Sequence, residues 1–191
     1  MHRYILAALL SLATGGKAWA VVVIDSQGDA NFRGQVMACF ERFSGAGGDA
    51  ASILDQLNQP SPQSHRITIE PTADTVNHTT PAGDGANFTP GTGPGPGSDA
   101  TIEWNPTNVT PYADGTPRDP CASLLHEMKH ALDDDKGQRN RNLYAPSPLP
   151  GSGIPIVEVD GCREENKYRK KVGLPQRHKY GTHDLPPDAV F

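Results

Sequence analysis

The residues His126-Glu127-Met128-Lys129-His130 set two imidazoles and a carboxylate at the HExxH spacing. On a helix of ~100° per residue the two histidines stand ~40° apart, so both rings face one ion. Glu127 then lies beside them, where it reaches a water at the metal rather than the metal itself. Leu124, Leu125, Met128, Ala131 and Leu132 fall on the opposite half of the same wheel, which gives the helix an anchoring face and a ligand face. The chemistry implied is zinc-assisted hydrolysis of an amide. The metal acidifies a water, and Glu127 takes its proton and passes it to the leaving amine.

A catalytic zinc takes three protein ligands and keeps one position open. Glu158 is the first choice for the third, because it is a lone carboxylate inside the apolar run Ile154–Val159 and an ionised acid there needs a cation. Glu165 is the runner-up. If a helix starts by Val157, then Glu158, Cys162, Glu165, Arg169 and Val172 form one stripe. Against that, Glu164 and Glu165 sit among Arg163, Lys167, Arg169 and Lys170, the pattern of a solvated charged face. Asp160, His178 and His183 are weaker candidates. Asp133 points within ~20° of the His126 direction; it either accepts an imidazole N–H or belongs to an exposed acidic helix end, Asp133-Asp134-Asp135. Arg177 and Tyr180, an RxxY pair, are candidate donors to the oxyanion of the reaction, with a surface basic pair as the competing reading.

These residues need elements to hold them. Asp119-Pro120 reads as the N-cap and first position of the metal helix, which runs to about Asp134. Phe32, Val36, Cys39, Phe40 and Phe43 mark an amphipathic helix over 31–43, broken by Ser44-Gly45-Ala46-Gly47-Gly48. A second helix carries Ile53, Leu54 and Leu57 inward and stops before Pro60. Val21–Ile24, Arg66–Glu70 and Asp99–Trp104 read as short strands. The strand at Thr101–Trp104 is a candidate open edge for an extended substrate. Residues 81–97 hold six Gly and four Pro in seventeen positions and form a loop by composition, as do 105–120 and 140–153. Ile156–Val172 is helix-like, with its stop at Gly173 and Pro175.

Across all 191 residues Gly and Pro number 20 and 18, while Leu, Ile, Val and Phe together number 36. That balance, with a net charge of −5, excludes collagen, coiled coils, long bundles and strongly basic nucleic-acid binders. It predicts an α+β fold: a loop-rich single domain over 21–191, with a small sheet packed on a central HExxH helix. Residues 1–20 read as a signal peptide, with an apolar run over Tyr4–Ala13 and Ala18-Trp19-Ala20 as the cleavage site. The expected location is therefore secreted or periplasmic, with no membrane contact in the mature form. Cys39, Cys121 and Cys162 contain no CxxC pair; one disulfide and one free thiol is the natural count after export, with the pairing left open.

The run from Asp119-Pro120 through Leu124-Leu125-His126-Glu127-Met128-Lys129-His130-Ala131-Leu132-Asp133 resembles the NleD-like effector zinc metallopeptidases of bacteria that live with eukaryotic hosts. So do Glu165-Asn166-Lys167-Tyr168-Arg169, Gly173-Leu174-Pro175-Gln176-Arg177 with Tyr180, and the Gly-rich loop before Ile102-Glu103-Trp104-Asn105-Pro106. The resemblance implies zinc on His126 and His130, Glu127 as base, a downstream glutamate as third ligand, and Arg177 and Tyr180 beside the scissile carbonyl. It also implies protein substrates, host proteins among them. Two other functions fit the residues: an exported binding protein with a structural zinc, and a zinc amidase acting on a non-protein amide.

Overall fold

The computed structural model describes residues 21–59, 65–144 and 149–191. The expected signal peptide, Pro60 and part of the 140–153 loop lie outside the described residues. Strand β1 (Val21–Ile24) leads into helices α1 (Phe32–Ala46) and α2 (Gly48–Leu57), then β2 (Arg66–Pro71). Helix α1 runs through Ser44 and Gly45 and ends later than its composition suggested. The break falls where the backbone turns left-handed, at Gly47 and Gly48 with φ of 64° and 63°, which glycine adopts without a Cβ penalty.

The sheet continues with β3 (His78–Pro81) and β4 (Ala100–Trp104), in the order β1-β2-β4-β3. The first three strands in that order are parallel, and β3 runs antiparallel to β4. This corrects the expectation that Thr101–Trp104 is an open edge: β4 is hydrogen-bonded on both sides, and the edge strands are β1 and β3. His-Thr-Thr-Pro is too short to read as a strand, and its terminal proline fits because Pro is tolerated at edges. Alternation then sorts the faces. Ile67 and Ile69 of β2 and Ala100, Ile102 and Trp104 of β4 turn into the core, and Trp104 donates its indole N–H to the Pro120 carbonyl at 3.0 Å.

Helix α3 (Pro120–Asp135) crosses beneath that face, capped by Asp119, whose carboxylate accepts the Ala122 N–H at 2.8 Å. Every residue from Cys121 to Asp135 except Lys129 is buried. The three aspartates at its end are therefore not an exposed acidic terminus. Lys129 bonds Asp133 at 2.6 Å, Arg139 Nε lies 2.8 Å from Asp134, and His65 lies 3.1 Å from Asp135. Helix α4 (Ile156–Lys171) packs along α3. A short hairpin, β5 (Lys179–Tyr180) and β6 (His183–Asp184), follows it. Among the described residues no helix is long and apolar enough to cross a membrane.

The main core gathers the inner faces of α1, α2, α3 and the sheet, and a smaller one lies under α4 with Ile154, Val159, Cys162, Leu185 and Ala189. The molecule is α+β, with its sheet on the HExxH helix α3. A disulfide joins Cys39 of α1 to Cys121 in the first turn of α3, and Cys162 is a buried free thiol.

Candidate active site

Helix α3 presents His126 and His130 one turn apart, and the first turn of α4 brings Glu158 to meet them. His126 Nε2 and His130 Nε2 are 3.0 Å apart, and Glu158 Oε2 lies 3.2 Å from the first and 3.3 Å from the second. A tetrahedral zinc with bonds of ~2.0–2.1 Å spaces its ligand atoms by ~3.3 Å, so the triangle fits one ion. The electrostatics agree. Burial works to raise the Glu158 carboxyl, but hydrogen bonds and charge from His126 and His130 outweigh it and hold the group well below the usual carboxylate range. Three lone-pair-bearing atoms thus converge on one point, the arrangement a cation relieves.

Glu127 stands beside the triangle. The Thr79 hydroxyl of the edge strand β3 lies 2.8 Å from its Oε2 and 3.0 Å from its backbone carbonyl. Arg139 donates from Nη2 to the Thr79 carbonyl at 3.0 Å, fixing β3 against α3. The carboxylate is thereby held at one oxygen and, among the described residues, left free at the other.

Glu165 is fully buried and is not part of the triangle; it faces the other side of His126, with Oε2 3.5 Å from Nδ1. Its oxygens take a bond from Arg169 Nε at 2.8 Å, from Tyr112 OH at 3.0 Å and from Arg177 Nη1 at 2.8 Å. The solvated charged face expected around Glu165 is therefore not found on this side of α4. The helix turns Glu165 and Arg169 inward, where they neutralise each other. Asp133, considered as an acceptor for an imidazole N–H, instead bonds Lys129, and it is the Glu165 carboxylate that lies toward His126 Nδ1.

Arg177 is buried, with its backbone N–H donating to Asn166 Oδ1 at 2.8 Å and its guanidinium 3.8 Å from the Tyr112 ring centre. Tyr180 lines the same cleft of about 550 Å³. Burial, reinforced by the Glu158 charge, raises its hydroxyl further above the ordinary value, so it remains a donor. Asp160 bonds Arg163, and neither it nor His178 nor His183 joins a metal-capable group among the described residues.

Several residues escaped the sequence reading. Thr79 and Tyr112 come from segments without periodicity. Gly161 had a visible signal, a glycine inside a helix three residues after Glu158. A Cβ there would sit 2.7–2.9 Å from the ring atoms of His126, so the absent side chain is what lets α4 approach the imidazole.

A paired-histidine helix with a carboxylate from the next helix, set in a cleft beside a sheet edge, gathers side chains able to hold a metal ion. Residues 21–153 match the Peptidase M91 family, described as effector protein, and the chain belongs to that family of peptidases. The match takes in Thr79, His126, Glu127 and His130 and ends before Glu158, Glu165, Arg177 and Tyr180. No curated protein matches the chain significantly.

Proposed function

We propose that this peptidase is a zinc-dependent endopeptidase that cuts protein substrates with Glu127 as general base. The observation that carries the reading is the triangle of His126, His130 and Glu158, at 3.0–3.3 Å, with Glu127 beside it. Zinc held there would supply a Lewis acid able to acidify a water. Glu127 would accept a proton from the attacking water at the oxygen Thr79 leaves free and pass it to the leaving nitrogen. Tyr180 donates to the oxyanion; Arg177, with Nη1 already on Glu165, backs the His126 side of the centre. A structural zinc takes four protein ligands, whereas three converge here among the described residues.

The substrate chain lies along β3, whose outer edge borders the cleft. Export to an oxidising compartment is part of the proposal. It is supported by the Cys39–Cys121 disulfide and by a family match that begins at Val21. Host proteins are the substrates the effector family suggests.

The test measures zinc content and the cleavage of a denatured protein mixture, with and without chelator, for the parent protein and for Glu127→Gln. The variant should keep zinc and lose at least a hundredfold in rate. Undiminished cleavage by Glu127→Gln, or cleavage indifferent to chelator, overturns the mechanism.

A further inference from the structure

The acidic groups lining the cleft are Glu127 and Glu158, both at the metal centre, while the cations lining it are Arg118, Arg139, Arg177 and Lys179. Two of these are neutralised from behind, Arg139 by Asp134 and Arg177 by Glu165, each at 2.8 Å. Lys179 stands half-exposed at the rim, 3.5 Å from Asp184. Arg118 is different: it has no acidic partner among the described residues.

Its position is nevertheless tightly fixed. The Nε donates to the Thr110 carbonyl at 3.0 Å, and the guanidinium lies 4.3 Å from the centre of the Tyr112 ring. The Tyr112 hydroxyl is itself bonded to Ser123 and Glu165, each at 3.0 Å. The backbone just before Arg118 is pinned too, since Arg169 Nη1 donates to the Pro117 carbonyl at 3.1 Å. The two terminal nitrogens of Arg118 have no acceptor among the described residues. A planar guanidinium held by its Nε and one face, with its fork free, is preorganised for a two-point bond to a carboxylate or phosphate. In an acidic protein, a cleft with one uncommitted and immobilised cation marks what it is built to receive.

We propose that Arg118 is a specificity-determining residue that binds an acidic side chain of the substrate within a few residues of the scissile bond, with Lys179 contributing from the rim. This rests on the peptidase reading for its setting, but the binding site does not depend on the chemistry.

The experiment uses one proteome-derived peptide library in two arms. In the first, the zinc-loaded protein cleaves the library and the cut sites are sequenced. In the second, the library is captured on immobilised Glu127→Gln protein and the retained peptides are sequenced. Glu, Asp or phosphorylated residues should be enriched about five- to tenfold near the cut and among retained peptides. Arg118→Gln should abolish the enrichment in both arms, and Arg118→Lys should keep part of it. Phosphatase treatment of the library separates carboxylate from phosphate as the preferred anion. Retention without acidic bias, or a bias that survives Arg118→Gln, overturns the proposal. If capture shows the bias while no cleavage occurs, the peptidase reading fails and the anion site stands.

Discussion

At the scale of single residues, the site works by keeping each charged atom occupied on one side and free on the other. Thr79 shows the principle, because its hydroxyl takes one oxygen of Glu127 and so aims the second. Thr79→Val preserves shape and removes only that bond. A hydrogen bond to a charged group is worth ~1.5–3 kcal/mol, so kcat should fall about ten- to a hundredfold. KM should stay within about twofold, and Thr79→Ser should recover most of the rate. A KM effect with unchanged kcat would assign Thr79 to substrate binding instead. The HExxH residues were readable from sequence because their geometry is set by one helix. Glu165 was misread for a related reason: its sequence neighbours are cationic, and only the rotation of α4 decides whether they meet it in water or in the interior. Thr79, Tyr112 and Arg118 reach the centre through tertiary packing of short or irregular segments, which leaves no period in the sequence.

At the scale of elements, the centre depends on how closely two helices run. The third corner of the triangle, Glu158, and the close-approach position, Gly161, are one turn apart on α4. Any group that pushes α4 from His126 also withdraws Glu158. Gly161→Ala should therefore lower zinc affinity by about ten- to a hundredfold, read by competition against a chelator, while far-ultraviolet circular dichroism stays unchanged because Ala suits a helix interior better than Gly by ~1 kcal/mol. Unaltered zinc affinity would make the close approach incidental. The helices were legible from their apolar spacing and their caps, with Asp119-Pro120 the clearest instance. Strand pairing was less so. Each strand is about five residues long, and which one becomes the edge is settled by the crossover through α1 and α2 and by the return of β3 against β4, neither of which leaves a local mark.

At the scale of the whole molecule, a thin core is supplemented by ties at its periphery. Zinc should be one of them: a ligand bound only to the folded state at a hundred times its Kd adds ~2.7 kcal/mol, so chelation should lower the melting temperature as well as activity. Asp114 is another. It accepts the N–H groups of Thr116, His178 and Lys179 at 2.9, 2.8 and 3.1 Å, stitching the loop before α3 to the segment carrying Tyr180. Burial works to raise this carboxyl, but those bonds prevail and bring it down to about 2. Because the folded value lies below the unfolded ~3.9, the stabilisation is complete above about pH 4 and is lost as the pH falls toward 2. The group is only partly buried, which reduces the effect to about 1 kcal/mol. Asp114→Ala should lose that amount at neutral pH and nothing at pH 2, measured by urea midpoints. The covalent tie has a consequence of another kind. The ring closed by Cys39 and Cys121 spans 82 positions and contains β2, β3, β4 and the loops at 81–97 and 105–120. Exposed loops are where proteases nick a chain, and here a single cut inside the ring leaves both fragments joined. A protein that works among proteases, its own copies included, can be clipped in those loops without coming apart. Limited proteolysis should give one full-length band on a non-reducing gel and two fragments once the sample is reduced.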